Sequence, residues 1–248
     1  MSRPAGVVFD VDGTLAESEQ RGHRVAFNRA FEEAGLPDRW EEQRYRELLR
    51  VAGGRQRLAH YFVGEGRDGQ DADRLAAELH PEKTRLFQEM VRGGEVPLRA
   101  GAKDLVARLG DAGMRLFVAT TGTRAWVDAL LTAHFSDGTF EQVVTGTEVP
   151  DLKPSPAVYE RVVELAGTDD LVAVEDSANG LMAAHAAGLA CLVVLNGESH
   201  GDFSPAELVL DGFGPAAGYV SGAAGPGAVV DGVVDLGTFH SIVGARGT

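Results

Sequence analysis

The sequence predicts an α/β fold: a doubly wound parallel sheet with an α-helical block inserted after its first strand. Three observations predict it. Short apolar runs recur at residues 6–9, 115–119, 142–145, 171–175, 190–195 and 207–210. Helix-period segments at 102–109, 125–134, 156–166 and 181–187 separate the later runs. Strands alternating with helices of that length call for crossover connections, hence a parallel sheet covered on both faces. Residues 18–94, by contrast, carry helical periodicity, dense charge and almost no strand signal.

The elements follow in chain order. The first strand ends in Val7-Val8-Phe9-Asp10-Val11-Asp12-Gly13-Thr14, where two carboxylates and a Gly-Thr pair interrupt an apolar run. His23, Phe27, Ala30, Phe31 and Ala34 then recur at helical spacing until Gly35-Leu36-Pro37 stops the helix. Further helices are expected at 41–50, 55–62, 73–79 and 83–90, which gives a core of residues 1–17 and 95–248 and a helical cap of residues 18–94. Residues 215–227, rich in Gly, Ala and Pro, are expected to form a surface loop. An edge strand at 229–236 and a short helix from about 239 to 243 complete the reading.

Composition excludes several function classes. With 248 residues, 44% of them hydrophobic, the chain can bury a substantial core. Its net charge of −14 argues against nucleic acid or an anionic membrane surface as the main partner. An anionic substrate is still compatible, given a metal ion and a few basic groups. The single cysteine, Cys191, cannot close an internal disulfide, sits in an apolar run and reads as core packing. The chain runs almost directly into its first strand, leaving no room for a signal peptide, and no stretch is long and apolar enough to span a bilayer. A cytoplasmic monomer is expected.

Four separated elements share one property: each ends a strand, or lies just beyond one, in polar chemistry. They are Asp10-Val11-Asp12-Gly13-Thr14, Thr120-Thr121, Lys153-Pro154-Ser155-Pro156 and Glu175-Asp176. Ser155 is placed to cap the helix that Pro156 opens. Strand ends of a doubly wound sheet converge on one edge, where ligands bind. The convergent set is three or four carboxylates, a lysine and two hydroxyls. Carboxylate oxygens suit Mg²⁺, and a lysine with hydroxyl and backbone donors suits a phosphoryl group.

The ordered set resembles the haloacid dehalogenase superfamily of phosphohydrolases, motif by motif. Asp10 and Asp12 match the paired aspartates of its first motif, Thr120 its second, Lys153 its third, and Glu175 with Asp176 its fourth. The resemblance implies a Rossmann-like core in which Asp10 attacks phosphorus to form an aspartyl phosphate. It implies Asp12 as acid and base, with Lys153 and Thr120 on the phosphoryl oxygens. Mg²⁺ would be held by Asp10, the Asp12 carbonyl and Asp176. Glu175 would reach the metal through water or orient Lys153. Superfamily members that displace halide lack the second aspartate, so dehalogenation is not expected.

In the cap and at its borders, residues 17–28, 45–57, 80–84 and 97–101 are similar to the CbbY-type phosphatases, which dephosphorylate xylulose-1,5-bisphosphate, an inhibitor of Rubisco. That resemblance implies a small phosphorylated sugar as partner. Thr121, Glu19, His23, Gly53, Gly54, Arg55, Arg57 and Lys83 become the candidate substrate-binding residues. A bisphosphate needs a second phosphate site, for which Arg55, Arg57 and Lys83 offer charge and Gly53-Gly54 offers backbone amides. Each basic residue also has a plain structural reading: Arg57 as a solvated helix charge, Lys83 as half of a surface ion pair, His23 as a core histidine. Asp151-Leu152 before Lys153 and Gly122-Thr123-Arg124 after Thr121 depart from the pattern. A phosphomutase of the β-phosphoglucomutase type, or a phosphatase of another small phosphorylated metabolite, is the alternative.

Overall fold

The structure is a computed structural model, and it describes residues 4–51, 53–214, 217–229 and 233–245. Its chain divides into two compact units, Met1–Ala16 with Leu98–Thr248, and Glu17–Pro97.

The first unit is built on a seven-stranded sheet in the order β3-β2-β1-β4-β5-β6-β7. Its strands are β1 Gly6–Phe9, β2 Arg115–Ala119, β3 Gln142–Val144, β4 Leu171–Glu175, β5 Ala190–Val194, β6 Leu208–Leu210 and β7 Tyr219–Ser221. The first six pair in parallel, and β7 lies antiparallel on β6. β1, β4 and β5 are buried along their whole lengths, as parallel strands with both faces covered must be. Val8, Phe117, Ala119, Ala173 and Cys191 share one packed cluster with helices Ala157–Ala166 and Ala178–Ala186. Helices Ala102–Asp111 and Leu236–Ala245, which add nothing to that cluster, lie against β2 and against β4 and β5. Strand order reverses between β1 and β4, so the carboxyl ends of these two strands flank the switch point of the sheet.

The second unit contains α1 Arg24–Glu33, α2 Glu42–Leu48, α3 Gly54–Gly64 and α4 Gly69–Arg92, with a π-helical turn at Glu19–His23 leading into α1. Phe27, Phe31, Trp40, Tyr45, Tyr61 and Phe62 form its aromatic core, with Phe27 and Phe31 centred 4.6 and 5.1 Å from Trp40. We number the first unit's helices α5 Ala102–Asp111, α6 Arg124–His134, α7 Ala157–Ala166, α8 Ala178–Ala186 and α9 Leu236–Ala245.

The structure corrects three expected elements. The helices expected at 73–79 and 83–90 are one, because the buried stripe of Ala72, Ala76, Leu79, Lys83, Leu86 and Met90 runs unbroken past Pro81. Packing along that stripe outweighs the lost proline donor. The Gly-rich segment expected to be loop throughout holds β7, whose pairing uses backbone groups and needs no apolar signature. Residues 215–216 of that segment lie outside the described residues. The edge strand expected at 229–236 lies partly outside them as well, and α9 already begins at Leu236. Among the described residues no helix is long and apolar enough to cross a membrane.

Candidate active site

β1 carries its ladder one residue past the strand, with Asp10 N–H donating to the Val174 carbonyl at 3.0 Å. Asp10 therefore stands beside the end of β4, where Glu175 and Asp176 follow. A tight turn comes next: the N–H groups of Leu15 and Ala16 both donate to the Val11 carbonyl, at 3.0 and 2.9 Å. Gly13 takes φ +84° in this turn, and a Cβ there would stand 2.2 Å from Asp176 Oδ2. Backbone conformation and space both demand glycine at that position.

Lys153 reaches in from the loop before α7. Its Nζ donates to Asp10 Oδ1 at 2.7 Å, Glu175 Oε1 at 2.6 Å and the Ala119 carbonyl at 2.8 Å. The lysine, Asp10 and Glu175 are all buried. Burial works against the ammonium, but Asp10 and Glu175 more than offset it and hold its pKa above the ordinary lysine value. Burial likewise pushes Asp10 up to about 7 against the pull of Lys153, with repulsion from Glu175 and Asp12 added. Asp176 is raised well above the carboxylate range by burial and by its neighbours Asp10 and Glu175.

Asp10, Glu175 and Asp176 place carboxylate oxygens within 4.8 Å of one another. With all three ionised, these carboxylates against one ammonium would leave two negative charges uncompensated, which is the deficit a divalent cation fills. The oxygen-only donor set fits a hard ion such as Mg²⁺.

Glu175 is held by more than Lys153. The Tyr159 hydroxyl donates to the same Oε1 at 2.6 Å, while Asp176 N–H and Ser177 Oγ reach Oε2 at 3.4 Å. Asp176 accepts from Asn196 Nδ2 at 2.7 Å and from Thr14 Oγ1 at 3.3 Å. Asn196 Nδ2 also donates to the Gly13 carbonyl at 3.0 Å, tying the turn after β1 to the end of β5. Arg99 adds to that tie by donating to the carbonyls of Gly13, Val194 and Leu195 at 2.9, 2.9 and 2.6 Å.

Thr120 is buried at the end of β2, its N–H donating to the Val144 carbonyl and its hydroxyl accepting from Gly122 N–H at 3.1 Å. Thr121 is exposed and Asp12 half-buried. Ser155 Oγ accepts from Ala157 N–H at 3.4 Å, at the start of α7. Arg124, a departure in sequence, is absorbed locally by Asp128, the Val143 carbonyl and Glu148.

In the second unit, Glu19 Oε2 accepts from Tyr45 OH at 2.6 Å, and Tyr45 OH accepts from Arg57 Nη1 at 3.2 Å. Arg57 Nε donates to the Leu48 carbonyl at 3.1 Å. The guanidinium is buried, which corrects its reading as a solvated helix charge. Lys83 is buried too and bonds His23 Nδ1 at 2.9 Å, over the rings of Phe27 and Phe87, so it is no surface ion pair. The aromatic faces of Phe27 and Phe87 lie 4.8 and 5.1 Å from this ammonium. Gly53 and Arg55 are exposed, and Gly54 opens α3 against the His80 ring. Burial, then the charges of Lys83, Arg55 and His23, lowers the His80 pKa.

Sequence reasoning gave no role to Tyr159 or Asn196, named Thr14 only as part of the first motif, and read Arg99 only through the family resemblance. Asn196 carries the signal used elsewhere, a polar residue just past an apolar strand. Tyr159 carries none, since a tyrosine on the apolar face of a helix reads as core.

Known proteins bear on this arrangement. The model of the haloacid dehalogenase-like hydrolases matches residues 4–188. Protein CbbY of Rhodobacter capsulatus is 41% identical over 217 residues, 85% of this chain and 94% of that protein. The plasmid CbbY protein of Cupriavidus necator is 42% identical over 232 residues, 88% and 91% of the two chains. Among solved structures, a mutant CbbY from Rhodobacter sphaeroides in complex with xylulose-1,5-bisphosphate matches with a TM-score of 0.70 and 38% identity, over 86% of this chain and 96% of that one.

Proposed function

The chain belongs to the haloacid dehalogenase-like hydrolases and hydrolyses a sugar-phosphate ester; within that activity we propose that its substrate is xylulose-1,5-bisphosphate and that Asp10 is the nucleophile. The observation that carries the catalytic assignment is the buried trio of Asp10, Lys153 and Glu175 at the switch point of the sheet. The bisphosphate bound by the Rhodobacter sphaeroides protein, 38% identical to this chain, supports the substrate.

Lys153 engages one oxygen of Asp10, and the other attacks phosphorus. As that bond forms, the bond from phosphorus to the sugar oxygen breaks, and Asp12 gives its proton to the departing alkoxide. Asp12 then takes a proton from water, whose oxygen displaces the Asp10 carboxylate and releases inorganic phosphate. Lys153 and Thr120 stabilise charge on the equatorial phosphoryl oxygens.

Asp10, the Asp12 carbonyl and Asp176 would hold Mg²⁺, which when bound offsets the repulsion between anionic nucleophile and anionic ester. Glu175, with its short bonds spent on Lys153 and Tyr159, orients the lysine. Residues 17–97 act as the cap that selects the sugar. Exposed Arg55, with the amides of Gly53 and Gly54, is the candidate site for the second phosphate. Glu19, steadied by Tyr45, and His23, steadied by Lys83, are candidates for the sugar hydroxyls.

The test is phosphate release with Mg²⁺ from xylulose-1,5-bisphosphate, ribulose-1,5-bisphosphate and β-glucose 1-phosphate. Release favouring the first is expected. Interconversion of hexose phosphates without net phosphate release would overturn the assignment.

A further inference from the structure

Tyr159 is fully buried on α7, yet it contacts both members of the central ion pair. Its hydroxyl donates to Glu175 Oε1 at 2.6 Å, and Lys153 Nζ stands 4.9 Å from its ring centroid. The O–H holds the carboxylate and the π-face holds the ammonium, two interactions from one rigid side chain. Both short bonds to Glu175 fall on Oε1, since the contacts to Oε2 are 3.4 Å long. Burial and the Glu175 charge keep the phenol protonated, so its hydroxyl is a donor.

We propose that Tyr159 is a positioning residue for phosphoryl transfer, fixing Glu175 and Lys153 together so that the ammonium stays aligned on Asp10. Its hydroxyl is spent on Glu175, so it acts through the pair. A carboxylate turns easily about its last torsion, which has broad minima. Without the phenol, Oε1 keeps one short bond instead of two, and Lys153, on a flexible stem, follows the carboxylate as it turns. The nucleophile is then misdirected in the transition state while no group placed on the bound ester is removed, so the loss falls on kcat rather than on KM. The inference rests on the reading of Asp10 as nucleophile.

The experiment is steady-state hydrolysis of p-nitrophenyl phosphate with Mg²⁺ by Tyr159→Phe, in the wild-type and Glu175→Gln backgrounds, with Asp10→Asn as control. In the wild-type background kcat should fall about 10- to 100-fold, with KM held within about threefold. In the Glu175→Gln background the same change should cost little more, because both substitutions act through one carboxylate. An unchanged kcat, or an equal factor in both backgrounds as a general loss of folding would produce, overturns the proposal. Turnover that survives Asp10→Asn sinks the nucleophile reading itself. Turnover lost in Asp10→Asn but intact in Tyr159→Phe sinks only the role of Tyr159.

Discussion

Replacing Gly180 by alanine should destabilise this protein, although alanine is the better helix former by about 1 kcal/mol. Gly180 lies in the first turn of α8, its N–H donating to Ser177 Oγ at 3.0 Å. A Cβ there would stand 1.9 Å from both Cδ and Oε2 of Glu175, whereas ordinary contact begins at 3.4 Å, so the carboxylate must retreat by about 1.5 Å. That retreat takes Oε1 out of reach of Tyr159 OH and Lys153 Nζ, both now at 2.6 Å. Bonds to a charged group contribute roughly 1.5–3 kcal/mol each. Allowing for relaxation and for the helix preference of alanine, a net loss of about 2–4 kcal/mol is expected. At about 2–4 °C per kcal/mol for a chain of this size, Tm should fall on the order of 10 °C. With Lys153 adrift, kcat should drop about 10- to 100-fold. Circular dichroism melting and p-nitrophenyl phosphate turnover read the two effects. A Gly180→Ala protein that melts at or above the wild-type temperature with full activity would refute the placement of Glu175.

The two cap arginines should separate cleanly. Arg57→Ala should cost about 2–3 kcal/mol in urea denaturation through its bonds to the Leu48 carbonyl and Tyr45. Arg55→Ala should leave stability alone and raise KM for a bisphosphate but not for p-nitrophenyl phosphate; the reverse pattern would contradict both placements. His80 has a folded-state pKa below its unfolded value of about 6.5. It therefore contributes stability that is present above that pH and lost as pH falls through the folded value. The stability gap between wild type and His80→Gln should narrow from pH 7.5 to 5.5 in urea titrations, and parallel curves would count against the burial described for this ring. Asn196→Ala should release Asp176 and raise the Mg²⁺ concentration needed for half-maximal activity by about 10- to 100-fold. An unchanged Mg²⁺ requirement would mean that Asp176 is not held through Asn196.

The parts that sequence made legible are those where two local signals coincide. At Asp10, Lys153 and Glu175 a polar group closes an apolar run or opens a helix, and the parallel sheet then brings such ends together. What escaped depends on partners far along the chain. Arg99 bonds carbonyls on both sides of the sheet's centre, and Tyr159 presents a hydroxyl from an otherwise apolar helix face. Neither leaves a local mark. Pro81 misled in the opposite direction, since a strong breaker sits inside a helix whose buried stripe continues past it. The Gly-rich segment around Tyr219 hid a strand because edge pairing with β6 is backbone work. Arg57 and Lys83 look like surface charges in sequence and are buried, one against backbone and a phenol, the other against aromatic rings.

Acid-quench trapping tests the central claim most directly. Mixing the enzyme with excess xylulose-1,5-bisphosphate and Mg²⁺, quenching within one turnover and mapping peptides by mass spectrometry should place a phosphoryl adduct on Asp10. The adduct should be absent from Asp10→Asn and should decay at the rate of phosphate release. Phosphate released in a burst-free time course with the adduct on another residue, or with none formed, would contradict the account.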